Sequence, residues 1–195
     1  MRLPAEERRK QLLAVAVDVF AEKGFHAASM NDVAEAAGVT KPVLYQHFTS
    51  KRDLFIELLD EIGNDLRETI AKATSNADGP RQQIEDGFRA YFVFASQKTS
   101  SFTVLFGSGA RRDPEFSSFA QSVESSIAQT ISELIVVEGH PAEYRLLLAD
   151  AIVGMTESAT RHWLASGCVP DVETLTEQIA GLVWSGLRGI RNPGQ

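Results

Sequence analysis

The feature that most constrains the fold is a pair of helix-start motifs separated by a short stretch of chain. Ser29 and Asp32 have the S-x-x-D spacing of a capping box, and Ser50 and Asp53 repeat that spacing. Gly38 is placed to end the first of these helices soon after it begins. Isolated helices below roughly 12 residues are marginal in water, because helix nucleation is costly. The short helix must therefore be held by its neighbours.

A third short helix fits between the two motifs, in the stretch GVTKPVLYQHF at residues 38–48. Thr40 is expected to cap it, and Pro42 falls in its first turn, where a missing N–H costs nothing. At helical spacing Leu44 and Phe48 face inward. The outward arc then holds Lys41, Pro42, Val43, Tyr45 and Gln46. Short helices joined by a tight turn predict a helix-turn-helix.

Apolar residues recur at helical spacing through the rest of the chain, and strand patterns are nearly absent. This periodicity predicts an all-α fold of about nine helices. Besides the two short helices, the expected helices cover residues 6–23, 50–70, 80–97, 100–106, 113–137, 141–166 and 171–190.

Composition excludes several classes of protein. The net charge is −7, but residues 1–55 carry +1 and residues 56–195 carry −8, so the first segment can still bind phosphate locally. The single cysteine, Cys168, excludes an internal disulfide and a cysteine-based zinc cluster. No run approaches the roughly 18 apolar residues of a membrane helix. The N-terminus lacks the apolar core of a signal peptide, so we expect a cytoplasmic protein.

The sequence LLAVAVDVFAEKGFHAASMNDVAEAAGVTKPVLYQHFTSKRDLF, residues 12–55, resembles the N-terminal domain of the TetR family of bacterial transcriptional regulators. The positions that carry the resemblance are Ala16, Phe20, Gly24, Phe25, Ser29, Met30, Ala34, Ala37, Gly38, Val39, Leu44, Tyr45, His47, Phe48, Lys51 and Leu54. Pro42 departs from the glycine that is more common in the family, which bears on how close the backbone comes to DNA.

The resemblance implies a three-helix DNA-binding domain in residues 1–52 and a helical effector-binding and dimerisation domain in residues 53–195. It further implies a repressor that binds a palindromic DNA operator as a homodimer and is released by a small apolar or amphipathic effector. No cofactor and no metal are expected. An alternative is a helical carrier or interaction protein of the same fold without specific DNA binding. An enzyme is disfavoured, because the sequence has no H-E-x-x-H or G-x-S-x-G motif.

The two C-terminal helices are expected to form the dimer interface. Their expected apolar faces comprise Ala149, Ile152, Val153, Thr156 and Ala159 on one helix, and Leu175, Ile179, Leu182, Val183, Gly186 and Leu187 on the other.

The residues expected to contact DNA are Ser29, Asn31, Thr40, Lys41, Pro42, Val43, Tyr45, Gln46, His47 and Lys51. Lys51 begins the fourth helix and is expected to pair with a phosphate beside that helix terminus. The resemblance places Tyr45 and His47 on backbone phosphates as well. Ser29 and Thr40 can donate hydroxyl groups in addition to capping their helices.

Base contacts are expected from the outward arc of the third helix. Lys41 can donate to guanine, and Gln46 can read adenine. Pro42 and Val43 offer apolar contact to a thymine methyl group. Asn31, at the head of the second helix, is a further candidate for base reading.

Simpler interpretations of several of these residues stay open. Tyr45 can be a core aromatic, and His47 can be a packed residue at the end of its helix. We interpret Arg8, Arg9 and Lys10 as a solvated helix start.

Aromatic residues are concentrated in residues 88–119, which hold 8 of the 16 in the chain. Such density suits a cavity lined by rings, and the resemblance implies a small-molecule pocket in this part of the chain. The expected ligand-binding residues are Phe88, Tyr91, Phe92, Phe102, Phe106, Phe119, Met155 and Trp163. The alternative is a well-packed core without a ligand.

Overall fold

The helical spacing of apolar residues produces helices throughout the part of the chain that is described. The computed structural model describes residues 4–107, 113–135 and 141–190. Within these ranges the chain forms nine helices and no strand, so the predicted all-α fold is confirmed. The helices are α1 (Ala5–Ala27), α2 (Met30–Ala36), α3 (Lys41–Tyr45), α4 (Lys51–Thr74), α5 (Pro80–Gln97), α6 (Thr99–Phe106), α7 (Pro114–Leu134), α8 (Ala142–Ala165) and α9 (Val172–Gly189).

Glycine interrupts the first helix at the position that the sequence indicated. Gly24 has φ 74° and ψ 161°, so regular helix stops there and a separate turn follows to Ala27. A residue with a Cβ atom is strained at this φ, whereas glycine is not. Upstream of the break, Leu12, Leu13 and Phe20 are buried on one face of α1.

The capping motifs form at both predicted helix starts, but only one is a complete capping box. At α2 the Ser29 Oγ accepts from the Asp32 N–H, and the Asp32 carboxylate accepts from the Ser29 N–H. At α4 the Ser50 Oγ accepts from the Asp53 N–H at 3.0 Å. The Asp53 carboxylate instead accepts the N–H and hydroxyl of Thr49. The predicted box at Ser50 is therefore wrong in its second bond, which reaches one residue further back.

The predicted hydroxyl cap of α3 is also wrong. Thr40 occupies the N-cap position, but its side chain makes no capping hydrogen bond. Its carbonyl instead accepts from the N–H groups of Val43 and Leu44, which starts the helix through the backbone alone. Pro42 lies in the first turn as predicted, where no N–H is needed.

Contacts divide the chain into two units. The first comprises the described residues of Met1–Asn64 and Lys98–Ala120, and the second those of Asp65–Gln97 and Gln121–Gln195. Both α4 and α7 contribute residues to both units, because the boundaries after Asn64 and after Ala120 fall inside these two helices. This division by contact differs from the expected functional boundary between residues 52 and 53.

The first unit is built around an aromatic cluster. Phe55 of α4 lies 4.9 Å from both Phe20 and Phe25, measured between ring centroids. Phe116, at the start of α7, is fully buried and lies 4.6 Å from Phe25 and 4.7 Å from Phe55. Arg52 covers the Phe116 ring and pairs with Glu115. The start of α7 therefore completes the core of this unit.

The second unit is organised around α5, which packs against α8 and α9. Phe92 of α5 is fully buried and meets Trp163 of α8 edge to face, with 6.0 Å between ring centroids. The Trp163 indole N–H donates to the Pro170 carbonyl at 2.6 Å, which satisfies a buried donor. Arg89 of α5 pairs with Glu173 of α9 at 3.0 Å.

Lys51 ties the start of α4 to the end of α1. Its Nζ donates to the carbonyls of Phe25 at 2.7 Å, Ala28 at 2.8 Å and His26 at 3.3 Å. The same ammonium group lies 4.5 Å from the centre of the Phe25 ring. Carbonyls after the break at Gly24 have no helical partner, so a cation at this place satisfies them.

Substituting Lys51 by Met should therefore destabilise the fold, because it removes charged donors and leaves carbonyls unpaired. We expect a loss of about 1–3 kcal/mol in the free energy of unfolding. Urea denaturation followed by circular dichroism measures this loss. Lys72→Met, at an exposed site on the same helix, is the control and should change stability little. Equal stability of the two variants would contradict a capping role for Lys51.

Candidate DNA-binding surface and ligand cavity

α3 is held from beneath by two buried side chains. Leu44 and Phe48 are both fully buried, as their helical spacing predicts. On the other side of the same short segment Lys41, Pro42 and Gln46 are exposed. Burial of one side and exposure of the other leave a row of side chains in solvent on a helix that its neighbours support.

Tyr45 belongs to the exposed side of α3. Its side chain is 45% exposed, so the alternative interpretation as a core aromatic is wrong. Lys41 Nζ lies 5.9 Å from the centre of the Tyr45 ring. Val43 is half-buried, so it offers only part of its side chain to a partner. We use the term α3 face for the exposed residues Lys41, Pro42, Tyr45 and Gln46.

The head of α2 presents Asn31 to solvent, while Ser29 is engaged within the chain. The Ser29 hydroxyl donates to the Asp32 carboxylate at 2.6 Å. Lys23 pairs with the same carboxylate at 2.6 Å, and these two partners hold the pKa of Asp32 well below its usual range. The Ser29 hydroxyl thus already has a strong acceptor within the chain. The expected contact of Ser29 with DNA stays a prediction. Thr40 is exposed, with no capping bond to hold its hydroxyl.

Arg9 of α1 reaches the far end of the α3 segment. Its Nε donates to Glu57 Oε1 at 2.6 Å, and its Nη2 donates to the other oxygen of the same carboxylate. Its Nη1 donates to the carbonyl of His47. The hydrogen bonding of Arg9 to the Glu57 carboxylate and the charge of that carboxylate raise the pKa of Arg9 against the opposing effect of partial burial. The guanidinium carbon also lies 4.5 Å from the centre of the Phe48 ring.

The interpretation of Arg9 as part of a solvated helix start is therefore wrong. A signal was present in the sequence, because Arg9 precedes the buried Leu12 and Leu13 by three and four residues and so shares their face of α1. His47 is half-buried, with its carbonyl held by Arg9. The expected phosphate contact of His47 stays a prediction. So does that of Lys51, whose ammonium group is bound to carbonyls at the end of α1.

A cavity of about 320 Å³ lies in the second unit. Exposed residues Ala71, Ser126 and Thr130 border it, while Phe88 and Ile152 are buried at its wall. Its lining is mainly aliphatic and aromatic, with a few hydroxyl groups and one guanidinium group. The lining residues are Arg67, Ile70, Ala71 and Thr74 of α4, Gln83, Ile84, Gly87, Phe88 and Tyr91 of α5, Ser126, Ile127, Thr130, Ile131 and Leu134 of α7, Ile152, Val153 and Thr156 of α8, and Val183 of α9.

Two of the expected ligand-binding residues, Phe88 and Tyr91, line this cavity. Phe92 and Trp163 belong to the same unit, but they pack against each other and are absent from the described lining. Met155 is exposed on α8. A role in binding stays a prediction for these three residues.

The other expected ligand-binding aromatics lie in the first unit. Phe102 and Phe106 of α6 are buried there, with 5.0 Å between their ring centroids. Phe119 of α7 is half-buried in the same unit. The dense aromatic run in the sequence is therefore divided between two cores.

Sequence reasoning missed most of the cavity wall, half of which α4 and α7 supply. In the sequence, the lining residues of α4 and of α7 each form a stripe at helical spacing. One stripe contains Arg67, Ile70, Ala71 and Thr74, and the other contains Ile127, Thr130, Ile131 and Leu134. Nothing local distinguishes such a stripe from one that packs against another helix.

The described ranges contain neither a cluster of metal-binding side chains nor a helix suited to span a membrane. No group of three or more histidine, cysteine, aspartate or glutamate side chains there is placed to hold a metal ion. None of the described helices is both long and apolar enough to cross a membrane.

Comparison with known families matches both parts of the chain. Residues 12–58 match the family of bacterial regulatory proteins of the tetR type. Residues 80–186 match the tetracyclin repressor-like C-terminal domain.

Curated relatives agree with this match. The transcriptional activator FasR of Mycolicibacterium smegmatis is 30% identical over 190 residues, which is 97% of this chain and 87% of the relative. The transcriptional repressor KstR2 of Mycobacterium tuberculosis is 31% identical over 113 residues, which is 56% of each chain.

Solved structures share the fold, and the relatives and family matches fix the family. A TetR-like transcriptional regulator from Rhodococcus sp. RHA1 has a TM-score of 0.80 and 31% identity, over 97% of this chain and 100% of that one. FadR from Bacillus subtilis, solved with stearoyl-CoA, has a TM-score of 0.78 over 91% of this chain and 98% of that one. At 19% identity this second likeness concerns the fold alone. With family matches over both parts and a relative spanning nearly its whole length, the chain belongs to the TetR family of bacterial transcriptional regulators.

Proposed function

We propose that the chain reads a palindromic DNA operator as a homodimer and that a small apolar or amphipathic molecule in the cavity changes its affinity for DNA. The observation that carries the DNA-reading part is the α3 face, where Tyr45 and its neighbours are exposed above the buried Leu44 and Phe48. Exposed polar groups on a helix supported from behind suit the major groove, where base edges present distinct donors and acceptors.

The chemistry of the α3 face assigns separate roles. Gln46 can bond both edge groups of adenine, and Lys41 can donate to the acceptors of guanine. Pro42 offers an apolar contact to a thymine methyl group, and Asn31 of α2 extends the readable site. Tyr45 can donate its hydroxyl to a phosphate and so fix the register of the helix without reading sequence.

Repression, which the sequence resemblance implied, stays a prediction. The relative from Mycolicibacterium smegmatis is named an activator, whereas KstR2 is named a repressor. A bound dimer blocks or assists polymerase according to where the operator lies relative to the promoter. The sign of regulation is therefore a property of the DNA as much as of the chain.

Control of DNA binding requires that a ligand bind two states of the protein with different affinity. α4 offers a physical link, because Lys51 at its start is bound to the end of α1 and Arg67, Ile70 and Thr74 further along line the cavity. A ligand that displaces the cavity end of this helix alters the contacts at its other end. The coupling is reciprocal, so DNA binding changes ligand affinity by the same factor.

The dimer is proposed from exposed apolar residues on the two C-terminal helices. On α8 Tyr144, Leu147 and Met155 are exposed, and on α9 Leu182 is 58% exposed. Several residues of the expected interface are instead buried within the subunit: Ala149, Ile152, Thr156, Leu175 and Val183. The proposed interface is thus formed by the solvent-facing residues of these helices, and on α9 the exposed Gly186, four residues after Leu182, permits close approach.

Substitution on the α3 face should weaken DNA binding without weakening the fold. Lys41→Ala or Gln46→Ala should lose about 1–3 kcal/mol of binding free energy each, because each removes a base contact. Fluorescence anisotropy with a duplex selected by the wild-type chain from a random pool measures the affinity, and thermal melting measures stability. Lys72→Ala and Gln82→Ala, at exposed sites outside α3, are the matched controls. If wild-type binding showed neither sequence preference nor decline with added salt, a carrier without DNA recognition would be favoured.

Charge on the proposed interface should separate the dimer. Leu147→Glu combined with Leu182→Glu should give monomer at micromolar concentration, because two carboxylates would be buried at the interface. Analytical ultracentrifugation measures the state of association. Ala73→Glu, at an exposed site of α4, should remain as wild type. A double variant that stays dimeric would place the interface elsewhere.

Filling the cavity should remove the response to ligand and leave DNA binding intact. Ile127→Trp inserts a larger side chain into the cavity wall. Anilinonaphthalene sulfonate, used as an amphipathic probe, should bind the wild-type protein and lower its affinity for DNA. Neither effect is expected in Ile127→Trp, and unchanged melting of that variant is the control. Probe binding that is equal in both proteins would contradict the proposed site.

A further inference from the structure

The backbone of α3 closes its own last turn, but the chain just beyond it is held from outside. The helix covers five residues, Lys41–Tyr45, and the N–H groups of Gln46, His47 and Phe48 donate to carbonyls within it. Leu44 and Phe48 fix its depth, since both are fully buried. Burial of two side chains leaves the direction of the segment's end less determined than its depth. The carbonyl of His47 accepts from a donor outside the segment.

Arg9 supplies that donor and is itself held in place. One guanidinium N–H is given to the carbonyl of His47, just beyond α3, and two are given to the carboxylate of Glu57 on α4. The flat face of the same group covers the ring of Phe48 at 4.5 Å. Three segments, α1, the end of the α3 segment and α4, therefore meet at one rigid and planar cation.

The pairing with Glu57 also argues against a phosphate-binding role for Arg9. Glu57 offsets its charge and takes two of its donors, and His47 takes a third. A phosphate ligand needs a cation whose charge and donors are turned to solvent. Arg9 is about a third exposed, and it donates these hydrogen bonds to Glu57 and to the His47 carbonyl.

We propose that Arg9 and Glu57 form a positioning pair, which fixes the end of the α3 segment and thereby the orientation of the α3 face on DNA. This inference rests on the proposed function, since it concerns how the same face is aligned. The pair contributes to affinity through the geometry of Lys41, Tyr45 and Gln46, not through contact with the nucleic acid.

Removal of Glu57 distinguishes positioning from direct phosphate contact by the sign of the effect. Glu57→Gln takes a negative charge from a DNA-binding protein, so a simple electrostatic effect would strengthen DNA binding or leave it equal. Positioning predicts the reverse, a loss of about tenfold in affinity, the factor that roughly 1.4 kcal/mol represents. Asp60→Asn, which removes the same charge from an exposed site on α4, is the matched control and should not lose affinity.

The salt dependence of binding gives a second readout, which separates positioning from a direct phosphate contact. Arg9→Met should lower affinity with an unchanged slope of log K against log salt. Loss of a phosphate contact would instead reduce the slope by about 0.9. Lys10→Met, at the neighbouring exposed lysine, controls for charge near the start of α1. When Arg9→Met and Glu57→Gln are combined, the two losses of binding free energy should not add, because either substitution already breaks the pair.

Measurements use the full chain and the duplex that the wild-type chain selects from a random pool, with urea denaturation of each variant. Where Arg9→Met does not fold, Glu57→Gln and the charge-preserving Arg9→Lys decide the matter. A wild-type chain that selects no duplex overturns the proposed function and this inference with it. A wild-type chain that binds, with Glu57→Gln binding equally or more tightly, overturns the inference alone.

Discussion

The burial of Leu44 and Phe48 is the interaction on which the proposed DNA-reading surface depends. α3 is too short to persist in water, so its geometry comes from the wall behind it and not from its own hydrogen bonds. Both side chains are fully excluded from solvent, which commits one side of the segment to the core. The opposite side is then left free for Lys41, Tyr45 and Gln46. Substitutions on that side can change the proposed base contacts and leave the fold intact, because the core does not include these side chains.

Local patterns in the sequence predicted most of the fold and the exposed side of α3. Apolar spacing placed the helices, and Gly24 placed the break in α1, because both act within a few residues of chain. Roles that depend on distant partners were missed. Lys51 meets carbonyls that lie more than twenty positions earlier in the chain, and Arg9 meets Glu57 across an even longer separation. The aromatic run was divided between two cores because the chain passes from one unit to the other within it.

Cations near a DNA-binding segment do not all serve DNA. Arg9, Lys51 and Arg52 are bound to Glu57, to backbone carbonyls and to Glu115, respectively. These groups stabilise the first unit, so the small net positive charge of residues 1–55 overstates what is available to phosphate. Lys41, whose ammonium group stands over the Tyr45 ring, is exposed on the reading side. Discrimination by hydrogen bonds, more than by charge, suits such a surface.

The placement of Phe116 bears on how this protein can be dissected. The first unit is discontinuous in sequence, and a ring from the start of α7 packs against both Phe25 and Phe55. A recombinant fragment that stopped after the helix-turn-helix would leave those rings open to water and prone to self-association. A helix-turn-helix segment transferred from this protein to another scaffold would need a substitute for Phe116. Phe116 nevertheless lies far along the chain from the proposed base-reading residues.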